Sequence, residues 1–206
     1  MKYLVSVVFI AVFFSGCITQ ERVEPSIRSG IIRVYATKYK QCSMGTGVLV
    51  RYKNRDIVIT AAHVLQGMDG LLFYSADKNK LSLDIDTVMI LPVDDVSLIL
   101  LKSSPVGLTP LPVSKEFAPG DRVEAIGYWE GGSLHISCGE IEVLPFFGGS
   151  LKILASVVVS PGMSGSPLFC NGKVVGITLS SFTRQGQRRS FYAPISKVLE
   201  LLDEKK

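Results

Sequence analysis

The sequence predicts an all-β protein made of two β halves, with a single helix at its C-terminal end. Short runs rich in Val, Ile, Leu and aromatic residues recur from Ile31 to Ala193, and several alternate between apolar and polar residues. A proline-containing crossing over residues 103–120 separates the first set of runs from the second. Many short strands at close spacing are typical of a β-sandwich or a β-barrel.

The helix is predicted by the spacing of four apolar residues near the end of the chain. Ile195, Val198, Leu199 and Leu202 stand at positions i, i+3, i+4 and i+7, so they share one face of a helix. We therefore expect a helix over about residues 194–204 that docks on the β body.

The composition fits a globular protein and argues against one class of partner. Hydrophobic residues make up 47% of the 206 residues and charged residues 19%, which excludes a wholly disordered chain. The net charge is +4, and the basic residues are scattered along the chain rather than clustered. We therefore expect no nucleic-acid partner.

The first residues have the pattern of a secretory signal peptide, predicted over residues 1–16. Lys2 supplies a positive charge, an apolar run extends from Tyr3 to Phe14, and Ser15-Gly16-Cys17 follows. As a helix, this apolar run would rise only about 18 Å, which is short of the roughly 30 Å hydrocarbon core of a bilayer. A permanent membrane span is therefore disfavoured.

Phe14-Ser15-Gly16-Cys17 resembles the bacterial lipobox, although Leu is usual where Phe14 stands. The resemblance implies cleavage before Cys17, lipidation of its thiol, and export to a bacterial cell envelope, where the lipid anchors the protein to a membrane. Residues 17–29 would then be the lipidated cysteine and a tether. The alternative is an ordinary signal peptide with an incidental cysteine, which would give a secreted protein.

Few residues can serve as a general base, because the chain has only two histidines, His63 and His135. His63 follows the apolar run Ile57–Thr60 and two alanines, which are small enough to let the chain turn tightly at a strand end. His135 alternates with apolar residues in a predicted strand, and we interpret it as a surface or structural residue.

The nucleophile candidate is Ser164, in the segment Pro161–Pro167 (PGMSGSP). Attack on a carbonyl requires backbone N–H groups that converge on the developing oxyanion. Gly162 can adopt backbone conformations that are barred to other residues, so its N–H and that of Ser164 could point at one spot. The alternative is a turn rich in glycine and serine without catalytic meaning.

A carboxylate that orients the histidine is expected at Asp94-Asp95, which head the apolar run Val96–Leu100. An acid that leads a buried strand would be shielded from water and could fix the tautomer of the imidazole. The alternative is a pair of solvated turn aspartates.

Three segments, in this order, resemble the signature motifs of the chymotrypsin/trypsin-like serine peptidases: Thr60–His63, Asp95–Leu98 and Gly162–Pro167. The general look is closest to compact bacterial members, of the HtrA-like or glutamyl-endopeptidase-like kind. The resemblance extends from about residue 30 to the C-terminus and implies a peptidase domain over residues 30–206. It implies the trypsin-like fold of two six-stranded antiparallel β-barrels, about 30–105 and 117–193.

The resemblance also implies roles for individual residues. His63, Asp95 and Ser164 would form a catalytic triad, with Asp94 as the alternative acid, and the N–H groups of Gly162 and Ser164 would form the oxyanion hole. The implied function is that of a serine endopeptidase, which hydrolyses protein or peptide substrates through an acyl-enzyme without a cofactor. No metal is expected, because the cysteines and histidines lack paired ligand spacing. The alternative is a catalytically inactive binding module of the same fold on a lipid anchor.

Two departures from the family affect activation and specificity. Met163 stands where digestive relatives have an aspartate, so activation by N-terminal cleavage is not expected. Val158 and Val159 stand where the family sets the floor of its primary pocket, and Thr178 stands on the opposite wall. Because none of these residues is charged, we expect a preference for small or medium apolar side chains.

Two further expectations follow from the same resemblance. HtrA enzymes carry a PDZ module after the protease domain, and we expect none here. Cys170 matches a position that is bridged in mammalian relatives, and Cys138 is its candidate partner in a disulfide.

Overall fold

The structure is a computed structural model that describes residues 23–204, with the exception of Gly131 and Gly148. The predicted signal peptide and the predicted lipidation at Cys17 lie outside the described residues. Within the described range, no helix has the length and apolar character needed to cross a bilayer.

The first half of the chain forms an antiparallel sheet of seven strands in the order β5-β4-β1-β2-β3-β7-β6. The strands are β1 (Ile31–Lys38), β2 (Gln41–Tyr52), β3 (Arg55–Ala61), β4 (Gly70–Tyr74), β5 (Lys80–Leu81), β6 (Ile85–Leu91) and β7 (Val96–Leu101). The sheet curls, so its central strands are buried on both faces. In β3, for example, Ile57 and Ile59 face one core and Val58 and Ala61 face another, which explains its nearly continuous apolar run.

The second half closes into a six-stranded antiparallel barrel with the order β12-β15-β14-β13-β8-β9. Its strands are β8 (Arg122–Tyr128), β9 (Leu134–Val143), β12 (Ile153–Ala155), β13 (Pro167–Cys170), β14 (Lys173–Arg184) and β15 (Gln187–Pro194). A separate hairpin, β10 (Phe146–Phe147) and β11 (Ser150–Leu151), projects between β9 and β12.

The prediction of an all-β, trypsin-like fold with a C-terminal helix is confirmed. It is wrong in one detail, because the first half is an open sheet of seven strands rather than a closed barrel of six. Its edge strands β5 and β6 do not pair with each other. Strand β5 has only two residues, which is too short for a hydrogen-bonded ladder with β6 that would close the sheet.

The two halves share a central apolar core. It joins Ile31 and Val48 of the first sheet to Tyr128 and Phe169 of the barrel, all of them buried. Each fully buried apolar side chain of this size contributes about 1.5–3 kcal/mol relative to its exposed state. The shared core therefore fixes the position of one half relative to the other, and with it the residues at their junction.

The described residues also form three helices: α1 (Pro25–Arg28), α2 (Ala62–Leu65) and α3 (Ile195–Glu204). Helix α3 buries its four predicted apolar residues against the central core. Helix α1 falls inside the predicted tether, and the structure differs there, because Ile27 packs on the central core and Arg28 pairs with Asp77 at 2.6 Å. Pro25 at the first helical turn has a φ suited to a helix start.

The candidate disulfide between Cys138 and Cys170, both in the described part of the chain, is not formed. Cys138 in β9 and Phe169 in β13 both pair with Glu124 of β8, so β8 lies between the two cysteine-bearing strands. Two strand spacings amount to about 9–10 Å, whereas the Cα atoms of a disulfide lie about 4.4–6.8 Å apart. The thiol of Cys170 instead contacts Asp121 Oδ2 at 3.8 Å.

Candidate active site

His63 is presented at the point where β3 ends and α2 begins. Ala61 and Ala62 are fully buried, and their small side chains let the chain turn directly against the end of the strand. The His63 side chain, which follows them, is 45% exposed. The local sequence thus buries the turn and leaves the imidazole accessible to a substrate.

Asp95 lies in the turn between β6 and β7, next to the start of α2. This proximity follows from strand pairing, because Ala61 at the end of β3 faces Val96 at the start of β7. The N–H of Ala62 donates to the carbonyl of Asp95 at 3.0 Å, which ties the two turns together. Asp95 has a φ of +55°, a left-handed conformation that costs an L-residue about 1–2 kcal/mol and that Asp tolerates better than most.

The carboxylate of Asp95 holds His63 through two groups. His63 Nδ1 lies 2.9 Å from Asp95 Oδ2 and 3.0 Å from Oδ1, and the backbone N–H of His63 donates to Oδ1 at 3.0 Å. Because an ionised carboxylate only accepts hydrogen bonds, this contact favours the tautomer with the proton on Nδ1. Nε2 is then the acceptor that can take a proton from a nucleophile.

The environment of the acid differs from the sequence-based expectation. We expected a carboxylate shielded from water, but the Asp95 side chain is 33% exposed in the described structure. Among the described residues, no hydrogen bond or ion pair joins its neighbour Asp94 to His63, and the carbonyl of Asp94 accepts a hydrogen bond from Lys152 Nζ at 3.2 Å. Of the two candidate acids, the structure brings Asp95 to the imidazole.

Ser164 lies in the loop between β12 and β13, and glycines set the shape of this loop. Gly162 has a φ of +93°, and a Cβ added there would lie 2.7 Å from the carbonyl oxygen of Tyr128. Gly165 has a φ of +84°, and its added Cβ would lie 2.2 Å from the carbonyl oxygen of Thr46. Only glycine fits either position, which explains the Gly-x-Ser-Gly pattern physically.

The loop brings Ser164 next to the segment that carries His63. A Cβ added at Gly45 would meet both the Val64 side chain, at 2.6 Å, and the carbonyl oxygen of Ser164, at 2.9 Å. An added Cβ at Gly165 would come within 2.7 Å of the Ala61 nitrogen. Gly45 therefore lies between Val64 and Ser164, and Gly165 lies close to Ala61, so the segments that carry His63 and Ser164 approach each other across the junction of the two halves.

The backbone of this loop offers donors for a developing negative charge. Within the described residues, the N–H groups of Gly162 and Ser164 donate no hydrogen bond, whereas those of Met163 and Gly165 donate to the carbonyls of Ser160 and Thr178. Ser164 is partly exposed, but Ser166 is fully buried and shares a 2.7 Å hydrogen bond with Thr178. The geometry thus singles out Ser164 as the accessible hydroxyl.

Thr46 on β2 is a site residue that sequence analysis did not identify. It is fully buried, and its Oγ1 donates to the Gly162 carbonyl at 2.8 Å and accepts from the Tyr128 N–H at 2.9 Å. Its own N–H donates to the Ser164 carbonyl at 2.8 Å. A residue of the first half therefore holds the nucleophile loop of the second. The only sequence signal was a threonine between two glycines, Gly45 and Gly47.

Replacing Thr46 by Val should both destabilise the protein and lower its activity. The isosteric valine side chain would leave the Gly162 carbonyl and the Tyr128 N–H buried without their partner, which costs about 1–3 kcal/mol per group. We expect denaturant melts to show a loss of about 2–6 kcal/mol in unfolding free energy, and kcat to fall at temperatures where the variant is still folded. Thr87→Val, on an exposed strand position, is the matched control and should change neither.

The three residues predicted for the primary pocket differ in accessibility. The Val158 residue is 38% exposed, whereas Val159 is buried in the barrel core next to Met163. Thr178 is also buried, and its hydroxyl is bonded to Ser166 Oγ. Val158 is therefore the one of the three whose side chain a substrate can reach.

Lys152, immediately before β12, is a second site residue that the sequence analysis missed. Only 6% of this residue is exposed, and burial lowers the pKa of its ammonium group, while Asp94 and Asp95 raise it. A lysine between Leu151 and Ile153 gives no signal in the sequence, because its partner lies 58 residues away.

The class of protein is that of the serine peptidases built from two β halves. In the first half the Asp95 carboxylate holds the His63 imidazole, and the loop with the accessible Ser164 belongs to the second half. A model of the trypsin-like peptidase domain matches residues 45–177, more than half of the chain. The chain belongs to the trypsin-like peptidase family.

Solved structures share the fold. The active form of the Rv3671c protease from M. tuberculosis aligns with a TM-score of 0.70 and 21% identity, over 86% of this chain and 81% of that one. A serine endoprotease from Yersinia pestis aligns with a TM-score of 0.69 and 19% identity, over 87% of this chain and 63% of that one. No curated protein sequence matches the chain. Family membership and fold support a serine endopeptidase.

Proposed function

We propose that the chain hydrolyses peptide bonds through an acyl-enzyme on Ser164, with His63 as the general base and Asp95 as the acid that orients it. The observation that carries this proposal is the 2.9 Å contact between His63 Nδ1 and Asp95 Oδ2. It holds the imidazole in the first half, near the junction with the loop that carries Ser164.

In the first step, Ser164 Oγ attacks the carbonyl carbon of the peptide bond while His63 Nε2 takes the hydroxyl proton. Asp95 stabilises the imidazolium that forms. The tetrahedral intermediate collapses when His63 returns the proton to the leaving amine, so that the C–N bond breaks and an ester to Ser164 remains. A water molecule then attacks the ester while His63 Nε2 takes its proton. When the second tetrahedral intermediate collapses, this proton passes to Ser164 Oγ and the carboxylic acid product is released.

The negative charge of each tetrahedral intermediate falls on the former carbonyl oxygen. The N–H groups of Gly162 and Ser164 are the donors that would stabilise it, because neither is used elsewhere in the described structure. Removing one such donor costs about 2.7–4 kcal/mol of transition-state stabilisation. The peptide that carries the Gly162 N–H is held by Glu130, whose N–H donates to the Pro161 carbonyl at 3.1 Å, and Thr46 holds the next peptide through the Gly162 carbonyl.

The proposed substrates are proteins and peptides with a small or medium apolar side chain before the cleaved bond. Val158, the accessible member of the predicted pocket, is apolar, and none of the three residues predicted for the pocket is an acid that could pair with Arg or Lys. The test is incubation with an unfolded protein and identification of the new termini by mass spectrometry. We expect cleavage after Ala, Val or similar residues; cuts dominated by Arg, Lys or Glu would contradict the specificity, and the absence of new termini would contradict the activity.

We further propose that the enzyme is exported and anchored to a membrane of a bacterial cell envelope through a lipidated Cys17. The support is the sequence Phe14-Ser15-Gly16-Cys17 after a signal-like segment. Radioactive palmitate should label the protein and leave it in the membrane fraction. Cys17→Ser should abolish both, whereas Cys42→Ser, which removes an exposed cysteine of the folded body, should abolish neither. An unlabelled, freely secreted wild type would contradict the anchor.

A further inference from the structure

Lys152 is a buried cation whose ammonium group is acted on by the charge of the proposed catalytic acid, and the proposed reaction does not use it. It belongs to the second half, between the β10–β11 hairpin and β12, and its backbone N–H donates to the carbonyl of Pro145 at 2.9 Å. Its side chain crosses to the first half, where Nζ donates to the carbonyl of Asp94 at 3.2 Å. The residue is 6% exposed, so this contact is made away from bulk water.

The group that Lys152 holds is the peptide between Asp94 and Asp95. The orientation of this peptide plane defines φ of Asp95, which is +55° and hence in the left-handed region. The N–H of the same peptide donates to the carbonyl of Pro92 at 3.2 Å, and the carbonyl of Asp95 accepts from Ala62 at 3.0 Å. Three hydrogen bonds therefore maintain a conformation that the chain disfavours, and one of them comes from the opposite half.

We propose that Lys152 is a positioning residue for the Asp95 carboxylate: its ammonium group holds the β6–β7 turn in the conformation that directs this carboxylate towards His63. Because Lys152 belongs to the second half, the orientation of Asp95 depends on the docking of the two halves. This role rests on the proposed function, since it acts on the reaction only through Asp95 and His63.

The charge of Lys152 matters as well as its hydrogen bond. The charged groups whose fields act on its ammonium, among the described residues, are Asp94 and Asp95 of the β6–β7 turn. A cation on this side of Asp95 weakens the attraction of the carboxylate for a protonated imidazole. Without it, the charge balance around the contact between Asp95 and His63 changes, and the acid limb of the pH profile of kcat/KM should move to higher pH.

Burial of the ammonium group has a cost in stability, because the charged form loses its hydration. Burial lowers the pKa of Lys152 below its value in an unfolded chain, so the unfolded state binds more protons between the two values. The unfolding free energy of the wild type should therefore rise with pH on approaching 10.5, the ordinary pKa of lysine. Lys152→Met, which is similar in length and uncharged, should lack this rise and should unfold at a Tm no lower than that of the wild type near neutral pH.

The test measures kcat/KM against pH for the full-length wild type, Lys152→Met and Lys152→Arg with one peptide substrate, together with Tm. Losing a charged hydrogen bond to the turn should lower kcat in Lys152→Met about 10- to 100-fold. The acid limb should move up by about 0.5–1 pH unit. Lys152→Arg keeps the positive charge, so the acid limb of its pH profile should lie at the same pH as that of the wild type. Lys173→Met, which removes an exposed lysine, should match the wild type throughout.

The outcomes separate this inference from the proposed function. Titration of the wild type with a fluorophosphonate comes first, and a wild type that does not react contradicts the proposed function itself. If the wild type reacts and Lys152→Met keeps both its kcat and its acid limb, Lys152 has no positioning role. A loss of activity in Lys152→Met that follows a fall in Tm, with the acid limb unmoved, would also overturn the inference, because it would show a packing role only.

Discussion

Replacing Ser164 by Ala should lower kcat/KM for peptide hydrolysis about 10⁶-fold, which is the scale of loss when the nucleophile of a catalytic triad is removed. The reason is that the variant has no group to form the acyl-enzyme, so the imidazole and the oxyanion donors can act only on water. The side chain of Ser164 is partly exposed and its backbone hydrogen bonds remain, so Tm should hardly change. Initial rates of cleavage of a quenched fluorescent peptide measure the effect.

Ser160→Ala is the matched control for this variant. Ser160 lies in the same loop, and its contribution there is the carbonyl that accepts from the Met163 N–H, which alanine preserves. We expect activity within a few-fold of the wild type. A Ser164→Ala enzyme with more than a small percentage of the wild-type rate would show that the hydrolysis uses another nucleophile.

Asp95→Asn should lower kcat about 10⁴-fold while leaving the fold intact. The asparagine amide can turn its NH₂ group toward His63 Nδ1, which then becomes an acceptor, so that Nε2 carries the proton and can no longer take one from Ser164. The loss should be largest near neutral pH. Steady-state kinetics between about pH 6 and about pH 10 follow the effect, because direct attack by hydroxide grows in importance as the pH rises.

Asp94→Asn tests which of the two adjacent acids, Asp94 or Asp95, orients His63. Asp94 acts through its backbone carbonyl, which accepts from Lys152, and the substitution keeps that carbonyl. We expect activity within about tenfold of the wild type, since only a nearby charge is removed. If Asp94→Asn were the inactive variant and Asp95→Asn the active one, the assignment of the acid would be reversed.

The sequence was sufficient to predict the fold class. The proposed catalytic residues His63, Asp95 and Ser164 were chosen because they lie in short local patterns. Two alanines at a strand end, an acid before an apolar strand and a serine between glycines each reflect a local backbone requirement. Strand pairing between β3 and β7 then brings His63 and Asp95 together. Local patterns therefore carry most of the information about these side chains.

The features that the sequence did not predict depend on contacts between distant segments. Thr46 bonds to Gly162 at a separation of 116 residues, and Lys152 bonds to Asp94 at a separation of 58. The residues around Thr46 and around Lys152 in the sequence give no indication of these distant partners. The disulfide expected between Cys138 and Cys170 fails for the same reason, because only the strand order shows that β8 lies between them.

Both residues that the sequence missed connect the two halves at the site. Thr46 of the first half holds the nucleophile loop, and Lys152 of the second half holds the turn of the acid. The shared core buries apolar residues of both halves, including Tyr128 and Ile31, and the Tyr128 hydroxyl donates to the Ile31 carbonyl at 3.2 Å. The docking of the halves and the geometry of the site are therefore coupled, and loosening the junction should reduce activity before it unfolds either half.

The central claim is that His63 of one half activates Ser164 of the other, and covalent labelling by a fluorophosphonate tests it most directly. Intact mass and peptide mapping should show one adduct, on Ser164, in the folded wild type. His63→Ala should react at least about 10³-fold more slowly, because the hydroxyl loses its general base. A wild type that carries no adduct at Ser164, or a His63→Ala variant that is labelled as fast as the wild type, would contradict the account.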